Sequence, residues 1–427
     1  MKKLIIGMAV FAGAGVCLAA ELVNPGDGSE ASKPQGFHFF DNHLTVKPYV
    51  ALSYTYDSNV DTAHKADYDS IFSVNPGANF TWKGERWNLV GTLWYRYNSY
   101  TRYSSRLGEN SYGESLAYEW NNIDSDGRGW DIRIAERYAY FAQNDDINGR
   151  DGRGVWRDRQ KLDVTGVFER RISEKTHAEV LAQYNWLDYK NDTAKYAPLY
   201  GWSQRAVAVG AGHAFSPWTD LLVQGGYSDY TQKKGRGYKH YSNDSQVWSV
   251  HGGIGSHLLE SERIKYRVLM GFSQLSYGGH DNVDSGWTYQ LSASWLARQN
   301  LRFSLLGNSY YQPSERSLGQ AIKVYALSGG VSYQPPSADK LTLTGNISWR
   351  LEENVYSDRY LANRNDYDEY LLSVRFGVDY IVNRYLSLYA NFTWEENWCE
   401  SHVKMLDHLI DCVCKGEPYG ELCDPGE

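Results

Sequence analysis

Apolar side chains recur at every second residue through most of this chain, and that period constrains the fold more than any other feature. In Leu44, Val46, Val50, Leu52, Tyr54 and Tyr56 one row is apolar, while Thr45, Lys47, Tyr49, Ala51, Ser53 and Thr55 fall between. Successive strand side chains point to opposite faces, so the segment predicts a ribbon with one greasy and one polar side. The row recurs as Phe72–Val74–Ala78–Phe80–Trp82, Trp87–Leu89–Leu93–Tyr95–Tyr97 and Trp130–Ile132–Ile134, and continues to Leu386–Leu388–Ala390–Phe392–Trp394. Counted this way, 17 strands are readable. A period of two over this length excludes a helical fold.

The links between rows alternate in length. Short ones, such as 83–86, 172–175, 216–220, 298–300, 335–340 and 381–384, are interleaved with long Asn/Asp/Gly/Ser-rich ones, such as 57–69, 143–156, 188–200, 229–244, 275–285 and 352–367. Tight turns at one rim and long loops at the other characterise transmembrane barrels, whereas a soluble sandwich has no need of that alternation. Aromatic residues make up 15% of the chain and gather at the row ends. Trp82, Trp87, Trp120 and Trp130 lie at the short-turn rim; Tyr54, Tyr56, Tyr95, Tyr97, Tyr138, Tyr140, Tyr184 and Trp186 lie toward the long loops. Amphipathic rings prefer the headgroup level. The expected fold is therefore all-β, an antiparallel up-and-down transmembrane barrel. An even strand number puts both termini on one side, so 18 strands are expected where 17 can be read. Glu136 falls on the outward row between Ile134 and Tyr138, and such a charge predicts a bulge or a protected position.

The ends set the compartment and the boundaries. Lys2 and Lys3 precede an uncharged stretch from Leu4 to Ala20, the anatomy of a cleavable export signal over 1–20. Residues 21–42, with Pro25, Gly26 and Pro34, predict a flexible periplasmic leader, and 43–398 the barrel in the outer membrane. Residues 399–427 break the pattern, with Cys399, Cys412, Cys414 and Cys423 where 21–398 have no cysteine, and with Val403, Leu406, Leu409 and Ile410 at helical spacing. A frameshifted or truncated tail and a native cysteine-bearing appendage both fit this pattern. A single Cys-x-Cys makes no zinc motif, and a disulfide suits an oxidising compartment better.

The first strand, running into Tyr54-Thr-Tyr-Asp-Ser-Asn59, resembles the type-two β-barrel porin family of Gram-negative outer membranes. So does the hairpin Phe376-Gly-Val-Asp-Tyr380 to Tyr385-Leu-Ser-Leu-Tyr389. The likeness runs loosely over 43–398. It implies an outer-membrane channel, some members being associated with export of surface polysaccharide or proteins, and it implies no particular substrate.

An 18-stranded closure leaves an aqueous lumen unless loops plug it. Alternation turns Lys47, Arg96, Arg133, Arg137, Asp163, Glu179, Lys265, Arg267, Arg302, Arg350 and Arg375 inward, with Asp131 and Asp379, as candidate pore-lining charges. Arginines outnumber acids on this face, which favours anions or sugars. Tyr49, Trp94 and Tyr389 point inward too, as three scattered rings rather than a track. A net charge of -8 argues against nucleic acid. No H-E-x-x-H, G-x-S-x-G or phosphate-loop motif is present, so no catalytic residue, metal or cofactor is expected. Lipid, lipopolysaccharide and the barrel-assembly machinery are the expected partners. The function expected is passive or weakly selective passage of small hydrophilic solutes or surface polysaccharide. An adhesive barrel whose loops bind ligands, and less readily a barrel hydrolase, stand as alternatives.

Overall fold

The computed structural model describes residues 3–7, 36–57, 69–101, 110–141, 158–189, 201–232, 244–256, 263–277, 283–313, 321–355, 369–383 and 386–399. They form β1 (Lys3–Gly7), β2 (Phe37–Phe39), β3 (Leu44–Asp57), β4 (Asp69–Lys83), β5 (Trp87–Tyr100), β6 (Asn110–Ile123) and β7 (Gly129–Phe141). Next come β8 (Arg159–Ser173), β9 (Thr176–Tyr189), β10 (Trp202–Ser216), β11 (Thr219–Gln232), β12 (Ser245–Ser256) and β13 (Ile264–Tyr277). Then follow β14 (Val283–Arg298), β15 (Leu301–Pro313), β16 (Ala321–Tyr333), β17 (Leu341–Val355), β18 (Glu369–Asn383) and β19 (Leu386–Cys399). From β3 to β19 the 17 readable strands stand in chain order in one antiparallel sheet. Each exceeds the roughly 9–11 residues that a tilted strand needs to cross a bilayer.

The sheet is inverted in polarity. Its exposed side carries Trp287 (72% exposed), Val250, Met270 (62%) and Phe376, while its covered side carries Ser111 (0%), Asn185 (1%), Ser245 and Thr288. A water-soluble sheet hides the first set; only an apolar surround inverts the preference. An outer-membrane location follows from this surface. Rings belt the short-turn rim as expected: Phe40 stacks on Trp82 at 6.2 Å, Trp82 meets Trp87 at 5.9 Å, and Arg170 lies 4.9 Å over Trp130. At the other rim Tyr112 stacks on Tyr140 at 5.0 Å.

Four expectations need adjustment. The cylinder is not closed by a β3–β19 ladder among the described residues. Seventeen alternating strands leave the first and last running the same way, and instead β1 pairs antiparallel with β19, Lys3 opposite Glu395 through Gly7 opposite Asn391. The last strand runs on to Cys399, five residues past the apolar row ending at Trp394, because its ladder with β18 continues to Glu369. Phe37–Phe39, at the end of the expected leader, pair with Leu44–Val46 through a turn in which Phe40, Asp41 and Asn42 all take positive φ. Glu136 makes no bulge: the β6–β7 and β7–β8 ladders run unbroken past it, and it sits half-buried on the outer row between Leu116 and Val164. Residues 400–427, with Cys412, Cys414 and Cys423, lie outside the described residues, as do 8–35 of the expected export signal and leader.

The curvature is uneven. Arg267 of β13 donates from Nη1 to Glu179 Oε2 of β9 at 3.1 Å. Four strands at about 4.8 Å each would hold them roughly 19 Å apart along a flat wall, so β9–β13 curl until their inner faces meet. Glycines permit it: a Cβ at Gly253 would fall 1.9 Å from the Val268 carbonyl oxygen, and one at Gly271 1.9 Å from that of Val250. At the long-loop end the wall also overlaps itself. The β14–β15 ladder begins only at Gln290 opposite Asn308, although β14 pairs with β13 up to Val283 and β15 with β16 up to Pro313. Above the split, Tyr311 and Ala321 pack against Leu275 and Val247 of the β13 and β12 inner faces. The tops of β15–β17 thus pass inside β12–β14.

Candidate functional site

The inner wall divides into a packed sector and an open one. In the packed sector, Leu187, Tyr189, Trp202 and Tyr230 form an apolar knot at the long-loop end of β9–β11, and Leu275, Tyr311 and Ala321 a second. A hydrogen-bonded chain binds the knots together. Asn185 Nδ2 donates to Gln204 Oε1, Gln204 Nε2 to the Tyr230 hydroxyl, and that hydroxyl to the backbone carbonyl of Tyr311, each at 2.7 Å. The last bond gives a partner to one carbonyl on the edge of β15 that left β14. Lys323, which alternation turns outward, is instead 8% exposed between the layers, its Nζ 5.4 and 5.2 Å from the Tyr311 and Tyr325 ring centres.

Below the knots, and on the neighbouring strands β7 and β8, the charges are paired. Arg133 lies 3.7 Å from both Asp131 and Glu169, and Arg171 3.1 Å from Glu169. Glu179 takes both terminal nitrogens of Arg267, whose Nη2 also reaches Gln224 at 3.4 Å. His251 Nε2 meets Thr288 Oγ1 at 2.9 Å, and Thr288 meets Ser273 Oγ at 2.7 Å. This chain of hydroxyls ties β12, β13 and β14 and includes no carboxylate.

The open sector is the inner face of β3–β8 with β17–β19. Lys47 is exposed there, and Arg96, Arg137, Arg375 and Asp163 are half-exposed. Lys161 holds Asp163 at 3.1 Å, and Arg350 holds Glu352 at 2.7 Å. Arg137 stands opposite Asp163 in the β7–β8 ladder. Lys265, Arg302 and Asp379 keep their inward register. Tyr389 pairs with Asp379 through its backbone, and its side chain lies outside the described residues. Of the predicted lining set, then, Arg133, Glu179 and Arg267 belong to tied networks and Arg350 to an ion pair, while Lys47, Arg96, Arg137 and Arg375 line the open wall and Arg302 stands on β15.

Two of the three rings expected to be scattered are brought to one level. Tyr49 stands opposite Gly77, Gly77 opposite Trp94, and Trp94 opposite Gly113, on four consecutive strands. Sequence reasoning placed the rings inward but missed the glycines between them, a signal visible only once the register is known. It also missed Tyr189, Trp202, Tyr230 and Tyr311, which close the long-loop end of the packed sector.

No family model matches the chain and no curated protein matches it, so membership of the type-two porin family is not shown. Solved structures resemble it at about 10% identity. The FrpB iron transporter from Neisseria meningitidis has a TM-score of 0.41 at 10% identity, covering 82% of this chain and 67% of that one. The siderophore receptor PiuA from Acinetobacter baumannii also has 0.41 at 10%, covering 84% and 78%. The alcaligin outer-membrane receptor FauA from Bordetella pertussis has 0.38 at 9%, covering 84% and 71%.

Proposed function

We propose that this chain is an outer-membrane channel that passes small hydrophilic solutes through the open sector of its lumen, with a preference for anions. The observation that carries the reading is the inverted polarity of the sheet, with large apolar side chains exposed outside and, away from the two knots, Asn, Ser, Thr, Gln and charged residues within. Such a wall is soluble in hydrocarbon and wettable inside. The packed sector narrows the lumen on one side, so passage runs along β3–β8 and β17–β19. There, among the described side chains, Lys47, Arg96, Arg137 and Arg375 stand against Glu119, Asp163 and Asp379, and Lys161 already holds Asp163. Fixed charges at close quarters select by sign.

The test is conductance of the purified protein in planar bilayers under a potassium chloride gradient. Discrete steps with a reversal potential on the chloride side are expected. A correctly folded barrel without steps refutes the channel, and a potassium-side reversal refutes the charge preference.

A further inference from the structure

We infer that the inner face of β3–β6 is a saccharide-binding shelf on which Tyr49 and Trp94 present ring faces to a pyranose. The inference deepens the channel reading by naming a substrate class, and it rests on that reading only for delivery of the sugar. Tyr49–Gly77–Trp94–Gly113 run across four strands on one face and at one level. Each ring lies over the glycine beside it. A Cβ at Gly77 would fall 2.4 Å from Tyr49 Cζ, and one at Gly113 2.7 Å from Trp94 Cζ2. With a side chain at either glycine the rings would have to stand up from the wall; with hydrogen there they lie along it and turn their faces to the lumen. Both rings are half-buried, Trp94 packing at 6.1 Å from Phe141. They are two strands apart, about 10 Å, far enough for each to take a different sugar unit of one oligomer.

A pyranose has an apolar C–H face and a rim of hydroxyls, so stacking alone leaves the hydroxyls unserved. Polar side chains line the row on both sides. On one side Lys47 stands opposite Asn79 and Asn79 opposite Thr92, with Thr92 Oγ1 donating to Asn79 Oδ1 at 2.8 Å and the Lys47 side chain exposed. On the other side Asn75 is 6% exposed and its Oδ1 has no hydrogen-bond partner among the described residues. Arg96, its guanidinium 5.9 Å from the Trp94 ring centre, adds donors on the same side. Flat rings flanked by hydrogen-bonding rows suit a saccharide better than an inorganic ion, which has no use for ring faces, or an alkane, which has none for the polar rows.

The test is equilibrium binding of maltotriose and of tri-galacturonate to the detergent-solubilised barrel, read by saturation-transfer NMR, with ion conductance measured separately. Wild type is expected to bind at least one trisaccharide, with saturation strongest at ring C–H protons. Trp94→Ala and Tyr49→Ala should each weaken binding about tenfold, the equivalent of one ring contact of about 1.4 kcal/mol. Trp94→Phe, which keeps a flat ring, should bind within about threefold of wild type and controls for folding. Absence of binding by both sugars, or binding unchanged in the alanine variants, overturns the shelf even if the channel conducts. Binding lost on ring removal supports the shelf even if no conductance is found, in which case the channel reading alone fails.

Discussion

Gly271→Ala tests the curled arc directly. Gly271 faces the interior opposite His251, and the new Cβ would meet the Val250 carbonyl oxygen at 1.9 Å, its carbon at 2.7 Å and the His251 Cα at 2.6 Å. All three are backbone atoms, so no side chain can swing aside. Reaching even the tightest real contact near 3.0 Å requires the strands to part by roughly 1 Å. That stretches ladder bonds whose N···O distance is normally about 2.9–3.0 Å. Overpacking of this kind costs about 1–3 kcal/mol, and one weakened ladder bond adds about 0.5–1.5 kcal/mol. The expected loss is therefore about 2–4 kcal/mol. Gly225→Ala is the matched control, because nothing lies within 4 Å of its Cβ position. There the only effect is on the unfolded chain, a gain of up to about 1 kcal/mol. Reversible urea unfolding from lipid vesicles, followed by tryptophan fluorescence, reads both. If Gly271→Ala falls within about 0.5 kcal/mol of wild type, or Gly225→Ala is equally harmful, the curvature of β9–β13 is not what these glycines permit.

Three further outcomes are expected. Arg267→Met and Glu179→Gln together should cost less than the sum of their separate costs, with a coupling of about 0.5–3 kcal/mol in a double-mutant unfolding cycle; zero coupling would show that the two groups do not meet. Tyr230→Phe removes the donor to the Tyr311 carbonyl and the acceptor for Gln204, so the inner layer should loosen by about 1–3 kcal/mol, and single-channel records should show a larger or flickering conductance. Glu136→Leu should leave stability unchanged or raise it by up to about 2 kcal/mol, since its carboxylate lies on the outer row between Leu116 and Val164; a loss would mean that a protein rather than lipid covers this position.

Which side of each strand faces out was legible because alternation is local: Trp287, Met270 and Phe376 are exposed where their rows place them, and Asn185 and Ser273 are covered. The strand count and turn asymmetry followed for the same reason. The overlap at β14–β15 was not legible. Alternation assigns Tyr311, Ala321 and Lys323 to lipid, yet they are buried against β12–β14, a consequence of curvature summed over six strands rather than of any local pattern. A trace of it does stand in the sequence. Gly226, Gly253, Gly255 and Gly271 all fall on the inner face of β11–β13, where an open barrel would carry polar side chains to wet its wall. The Tyr49–Trp94 row needed the register of three ladders, and neither ring's own neighbours in the chain reveal the glycine that lets it lie flat.

The division of the lumen predicts a division of phenotypes. In the packed sector Arg267 is held by Glu179 and Gln224, so its charge is largely neutralised and its removal leaves a carboxylate without its partner in the interior. In the open sector Arg137 is half-exposed beside a passage in which cations are in excess. Its ladder neighbour Asp163 stays held by Lys161 when it is removed. Arg137→Gln should therefore move the reversal potential toward neutrality with stability within about 0.5 kcal/mol of wild type, and Arg267→Gln should lower stability with little change in selectivity. A uniform water-filled cylinder would give both substitutions the same effect on selectivity, because each removes one inward charge from an equivalent wall. Only a lumen rolled shut on one side separates them.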